Sequence, residues 1–91
     1  MTQQCRIVSF SGNVQGVGFR YTAVRVARHY DVAGYVCNMP DGRVECVVEG
    51  GPDQIDAFLD DLSRHMAPYI RSRQQRTAAA TGQYSSFDVC F

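Results

Sequence analysis

A glycine-rich stretch that ends in an arginine is the part of this sequence best suited to chemistry. It runs from Gly12 to Arg20 and contains three glycines. Glycine allows positive φ angles and close approach of other atoms, and backbone N–H groups at a helix N-terminus bind anions. Arg20 adds a permanent charge whose planar guanidinium matches phosphate or carboxylate. The stretch predicts an oxyanion site, with a tight strand-to-helix turn and a solvated arginine as the alternative.

Asn38 is the second residue of interest, because it ends a predicted strand and its carboxamide is expected to face the glycine-rich stretch. It lies beside Pro40-Asp41-Gly42, which is typical of a hairpin turn, so a simple turn residue is the alternative.

Other phosphate signatures are excluded. Tyr21 stands where the dinucleotide fingerprint needs glycine, no Gly-Lys-Ser/Thr follows a glycine loop, and no histidine is paired with a nucleophile.

The elements that must position these residues follow from hydrophobic periodicity. Strand, helix, strand, strand, helix and strand are predicted in that order. The predicted strands span residues 6–11, 34–38, 43–49 and 87–91. The first predicted helix spans residues 19–30, and the second begins at Pro52 and carries apolar residues through Leu62. Val8 and Phe10 are expected on the core face. The acidic side of the second helix is expected to be solvated. Residues 68–76 resist assignment, and 77–86 are predicted to form a loop.

This order predicts an α+β, ferredoxin-like βαββαβ sandwich, with a four-stranded antiparallel sheet and both helices on one face. A single domain is expected over residues 1–91. The first strand would pair with the third and the last, and the second would lie beyond the third. The C-terminal ends of the first two strands would then share one edge, roughly 10 Å apart. Arg20 and Asn38 are therefore expected to face each other, which favours a functional role for Asn38.

The composition restricts the expected binding partners and location of the protein. Nine basic and nine acidic residues cancel, which argues against nucleic-acid binding. No apolar run approaches the ~20 residues of a membrane span, and the first residues do not resemble an export signal. We expect a monomer in the cytoplasm.

The four cysteines are too dispersed to form a metal-binding pair, and His29 and His65 do not complete a zinc pattern. No metal is expected. Four reduced thiols are the favoured interpretation. The alternative is a Cys5–Cys90 disulfide, since both are expected to face outward on neighbouring strands. Cys37 and Cys46 are expected on opposite faces, where they could not bond.

Two motifs carry a resemblance to a known family. The stretch from Gly12 to Arg20 resembles the signature loop of the acylphosphatases. Gly34-Tyr35-Val36 and the spacing of the residues after it resemble that family's second signature, through Asn38, Gly42, Val44 and Gly50. The resemblance covers about residues 5 to 66. It implies the hydrolysis of acyl phosphates to a carboxylate and inorganic phosphate, without metal or cofactor.

By position, the resemblance implies that Arg20 binds phosphate and Asn38 positions water. It also implies a phosphate-binding backbone loop made of Gln15, Gly16, Val17, Gly18 and Phe19. The sequence departs from the family pattern in two places. Cys37 replaces a long basic or polar residue, and residues 69–86 lack the expected hydrophobic strand.

Two other functions compete with hydrolysis. The first is a non-catalytic module of the same fold that binds a phosphorylated metabolite or a partner. The second is an RNA-binding ferredoxin-like domain, which would need exposed aromatic residues on its sheet and a basic surface. Tyr35 is the only aromatic residue expected there, so RNA binding is disfavoured.

Overall fold

A computed structural model describes residues 2–91, which form a mixed five-stranded sheet with two α-helices packed on one face. The strands are β1 Gln4–Gly12, β2 Val32–Asn38, β3 Val44–Gly50, β4 Ile70–Ala79 and β5 Phe87–Cys90. The helices are α1 Phe19–Ala27, α2 Pro52–His65 and a short 3₁₀ turn at Ala67–Tyr69. Helix α1 was predicted to end at Tyr30 but ends three residues earlier, at Ala27, after which the chain turns toward β2.

The sheet order β4-β1-β3-β2-β5 corrects the predicted topology. The prediction of four antiparallel strands was wrong, because residues 70–79, which lack hydrophobic alternation, form a further strand, β4. This strand pairs antiparallel with β1. The final strand was expected beside β1, but β5 instead pairs in parallel with β2 at the opposite edge.

The core lies between the sheet and the helices. Val8 and Phe10 are fully buried, as their alternation predicts, and the inward residues of β2 and β3 join them. The largest fully buried side chains of α2 are Ile55, Phe58, Leu59 and Leu62. Burying side chains of this size stabilises the fold by about 1.5–3 kcal/mol each.

The acidic side of α2 is solvent-exposed at Asp53, Asp56 and Asp60, as predicted, but its carboxylates also bind neighbouring elements. Arg6, only 6% exposed, donates to Asp56 at 2.7 Å between nitrogen and oxygen. Arg73 of β4 donates to Asp60 at 3.3 Å, and the Tyr30 hydroxyl donates to Asp61 at 2.8 Å. These acidic side chains therefore attach the helix to β1, to β4 and to the residues that follow α1.

The connection from β4 to β5 must cross the open face of the sheet, because the two strands lie at opposite edges. Glu49 of β3, 5% exposed, holds this connection. Its carboxylate accepts hydrogen bonds from the N–H and hydroxyl of Thr81 and from the N–H of Gly82, at 2.8–3.1 Å. Tyr84 then packs on Tyr35, with ring centroids 5.9 Å apart.

Replacing Glu49 with glutamine is expected to lower the free energy of unfolding by about 2 kcal/mol near neutral pH, because an amide cannot accept all these hydrogen bonds. Burial opposes ionisation of Glu49, but the hydrogen bonds from Thr81 and Gly82 outweigh it and hold its pKa below the ordinary 4.5. Because the folded-state pKa is the lower one, the stabilisation is complete above about pH 4.5 and is lost as the pH falls from there through the folded-state pKa.

Urea unfolding of the wild type and of Glu49→Gln at about pH 7 and about pH 3 checks this, and the difference should narrow in acid. Glu45→Gln is the matched control, since Glu45 lies on the same face of β3 and accepts one long hydrogen bond, 3.4 Å from the Tyr35 hydroxyl. We expect it to change stability by no more than about 0.5 kcal/mol. Equal losses in the two variants would contradict the role assigned to Glu49.

The cysteines differ from the favoured expectation of four reduced thiols. Cys37 and Cys90, paired across β2 and β5, form a disulfide with 4.8 Å between their Cα atoms. The alternative Cys5–Cys90 bond was also wrong, because the strand beside β1 is β4 and not β5. Cys5 and Cys46 are buried free thiols. Burial raises the pKa of the Cys46 thiol, which makes it a poor nucleophile.

Candidate functional site

The glycine-rich stretch forms a loop between β1 and α1 that is anchored at both ends. Val14 is fully buried, and Phe19 is 2% exposed with its ring 5.0 Å from that of Phe10. Between these anchors, Gly16 and Gly18 both adopt φ of 77°. This left-handed conformation strains any residue with a Cβ. The two glycines are therefore required by the backbone path of the loop.

The loop leads directly into the N-terminus of α1. Gly18 occupies the N-cap and provides no side-chain cap, and the first turn contains no acidic residue. The N–H of Thr22 donates to the Gly18 carbonyl at 3.0 Å, so the N–H groups that precede Thr22 have no acceptor within the helix. Together with the helix dipole, these donors favour an anion at this position.

Strand register places Asn38 at the same level as the end of β1. Phe10 of β1 pairs with Val44 of β3, and Val44 pairs with Asn38 of β2. Two strand spacings separate β1 from β2, roughly 10 Å in all. Asn38 and the loop thus lie at the same end of the sheet, where β1 and β2 both terminate, as the parallel direction of these two strands predicts.

A cavity of about 220 Å³ lies between the loop and the end of β2. It is lined by Val14, Gly16, Gly18, Phe19, Arg20, Tyr21 and Asn38. Arg20, in the first turn of α1, contributes the positive charge. The structure therefore brings five predicted site residues together, while Gln15 and Val17 do not line the cavity.

The Gln15 side chain has a contact that sequence reasoning missed. Its amide donates to the carbonyl oxygens of Met39 and Arg43, at 2.8 and 3.0 Å. These residues flank the β2–β3 turn, so Gln15 ties the loop to the strand that carries Asn38. Val17 instead packs against the core as a partly buried side chain.

Arg20 has two contacts with the end of the chain that also were not predicted. Its Nη1 donates to the carbonyl oxygen of Cys90 at 3.5 Å, and its guanidinium lies 5.5 Å from the centre of the Phe91 ring. Both contacts depend on β5 pairing with β2, which the predicted topology did not contain. They orient a side chain that otherwise has many rotamers.

A second cavity, of about 300 Å³, lies on the open face of the sheet. Glu45 is part of its lining, together with Arg76 and polar or apolar residues of β1 and β4. A carboxylate there opposes the binding of an anion. The smaller cavity, with Arg20 and the N-terminus of α1, is the better oxyanion site.

Comparisons with known proteins identify the family of this chain. The family model described as Acylphosphatase matches residues 6–89. The chain belongs to the acylphosphatase family.

Individual acylphosphatases are similar over different lengths. The Archaeoglobus fulgidus acylphosphatase is 43% identical over 82 residues, which cover 89% of this chain and 91% of that protein. The Bordetella parapertussis acylphosphatase is 53% identical over 57 residues, 63% of this chain and only 61% of that protein. The crystal structure of the Bacillus subtilis acylphosphatase superposes with a TM-score of 0.84 at 28% identity, and covers 98% of this chain and 99% of that one.

Two further observations concern metals and membranes. Within residues 2–91, no three His, Cys, Asp or Glu side chains come together as they would around a metal ion. No helix in the described part of the chain has the length and apolar character needed to cross a membrane. That the reaction needs no metal or cofactor stays a prediction.

Proposed function

We propose that this member of the acylphosphatase family hydrolyses acyl phosphates to a carboxylate and inorganic phosphate, as one domain over residues 1–91. The observation that carries the proposal is the single cavity lined by Arg20, Asn38 and the N-terminal turn of α1. The names of its relatives support this reaction class.

The phosphoryl group is proposed to bind at the N-terminus of α1. Backbone N–H groups of residues 15–19 and the Arg20 guanidinium would neutralise its oxygens. Negative charge is spread over these oxygens in the transition state of phosphoryl transfer, so fixed donors around them stabilise that state and lower the activation barrier. Gln15 supports the arrangement by tying the loop to the turn after Asn38.

Asn38 is proposed to orient the attacking water. Asn38 lines the same cavity as the loop, and its carboxamide is proposed to hold a water molecule in line with the bond that breaks. An amide cannot act as a base, so the proton of the water is proposed to pass to a phosphate oxygen. The leaving carboxylate is a weak base and needs no general acid.

The rest of the substrate and the setting of the reaction are also proposals. The exposed Tyr21 at the margin of the cavity leaves the acyl side open, so a small acyl phosphate is the proposed substrate class. We propose that the protein acts as a monomer in the cytoplasm and has no nucleic-acid partner. The balance of nine basic and nine acidic residues supports the last point.

Hydrolysis of benzoyl phosphate with EDTA present tests the proposal. We expect turnover in the presence of the chelator and no comparable turnover of glycerol 3-phosphate, whose alkoxide leaving group would need a general acid. A protein that binds inorganic phosphate without hydrolysing benzoyl phosphate would be a binding module. That result, or complete dependence on an added metal, would overturn the proposed reaction.

A further inference from the structure

We propose that the Cys37–Cys90 disulfide is a redox switch that sets the affinity of the cavity for phosphate by fixing the position of Arg20. The inference rests on the proposed function of the cavity. Its structural basis is that the disulfide joins the residue before Asn38 to the residue whose carbonyl oxygen contacts Arg20.

The disulfide closes the end of a short edge strand. β5 has only four residues, and its last pair with β2 is Cys37 with Cys90. The other end is held independently, because Phe87 is 7% exposed and its ring centroid lies 5.1 Å from that of Phe58. Breaking the disulfide would therefore remove the covalent tie at Cys90 and Phe91, while Phe87 and the partly buried Val89 stay packed against the core.

The released end is the part that contacts Arg20. The Cys90 carbonyl oxygen accepts a hydrogen bond from Nη1, and the Phe91 ring lies beside the guanidinium. Phe91 is 96% exposed, so the covalent link at Cys90 is what keeps this ring in place. With the disulfide formed, Arg20 is held at the cavity before phosphate arrives. With the disulfide broken, binding must also restrict the arginine, which costs affinity.

The chemistry of the switch is thiol–disulfide exchange. A thiolate of a low-molecular-weight dithiol attacks one sulfur, and the second thiolate then resolves the mixed disulfide. The Cys37–Cys90 bond breaks, each cysteine gains one electron and one proton, and the dithiol becomes a cyclic disulfide. Cys37 and Cys90 are both partly exposed, whereas Cys5 and Cys46 are buried. The bonded pair is thus the pair that a reductant can reach.

The expected effect falls on binding. Reduction should weaken the binding of inorganic phosphate by roughly three- to tenfold, the range for ordering one long side chain. The KM for benzoyl phosphate should rise by a similar factor while kcat changes by less than about twofold, since Asn38 stays within β2. Oxidation with oxidised glutathione should restore the original values.

The experiment compares oxidised and dithiothreitol-reduced protein. Calorimetric titration with inorganic phosphate gives the Kd, and alkylation of the unfolded chain counts two thiols in the oxidised form and four in the reduced form. Cys37→Ser and Cys90→Ser should match the reduced wild type under both conditions. Cys5→Ser is the matched control and should keep the redox response. The reduced wild type still provides the test if a serine variant fails to fold.

The outcomes separate the switch from the hydrolase. Hydrolysis in both redox states with equal KM and equal phosphate Kd would overturn the switch alone. Tighter phosphate binding after reduction would also overturn it, as would an alkylation count of four thiols that no oxidant lowers to two. A redox-dependent phosphate Kd without hydrolysis in either state would support the switch and overturn the proposed reaction. A response that survives in Cys37→Ser would also contradict the switch.

Discussion

Replacing Arg20 with glutamine is expected to lower kcat/KM for benzoyl phosphate by about a thousandfold. The guanidinium is the only side-chain cation among the residues that line the cavity, so the variant leaves the phosphoryl charge to the backbone donors alone. Binding of inorganic phosphate should weaken as well, because the ground state and the transition state both carry this charge. Steady-state hydrolysis and phosphate titration measure the two effects.

The controls for this prediction lie on the same helix. Arg25 is exposed in the last turn of α1, and Arg25→Gln should keep the wild-type rate. Arg20→Lys should fall between the wild type and Arg20→Gln, since lysine keeps the charge but not the planar fork that binds two oxygens. Unfolding free energies should stay within about 1 kcal/mol of the wild type. Near-normal turnover in a folded Arg20→Gln variant would remove Arg20 from the proposed mechanism.

Much of the candidate site could be predicted because its signals are local. Positive φ at Gly16 and Gly18 is a conformation that glycine permits, and the start of α1 at Phe19 follows from helical spacing. Asn38 ends β2 as predicted, and the direction of the strands brings it to the edge that carries the loop. Only the last step needs a long-range pairing, the placement of β3 between β1 and β2, and that pairing was predicted correctly. The catalytic and binding roles remain proposals.

The two strands at the sheet edges could not be placed in the same way. β4 contains three arginines and two glutamines between Ile70 and Ala79, so hydrophobic alternation does not mark it. An edge strand tolerates such residues because one of its sides faces solvent, and charges there discourage pairing with another chain. Its attachment comes from pairing with β1 and from Arg73, which donates to Ser63 at 2.8 Å and to Asp60.

The position of β5 decides which cysteines meet. Four residues carry too short a pattern to specify a partner strand, and placing β5 beside β1 led to the wrong expectation for Cys5 and Cys90. Glu49 shows the same limit, because the sequence gives no sign that Thr81 and Gly82, 32 and 33 residues away, cover it. Contacts of this kind depend on the path of the connecting chain rather than on local propensity.

Replacing Asn38 with alanine is expected to lower kcat for benzoyl phosphate by about a hundredfold or more, while the Kd for inorganic phosphate changes little. The reason is the division of contacts in the proposed mechanism. In that mechanism Arg20 and the loop backbone bind the phosphoryl group, whereas Asn38 lies at the end of β2 and acts on water. Removing the carboxamide should therefore affect turnover without the loss of affinity expected for Arg20→Gln.

Asn13→Ala is the matched control, because Asn13 is an exposed asparagine at the start of the same loop and does not line the cavity. It should keep the wild-type kcat. Asn38→Asp tests charge separately, since a carboxylate beside the phosphoryl oxygens should weaken phosphate binding as well as turnover. A folded Asn38→Ala variant with full kcat would show that water is oriented by another group. A variant that lost phosphate binding and turnover in equal measure would show that Asn38 binds the phosphoryl group, because a residue that acts only on water leaves affinity unchanged.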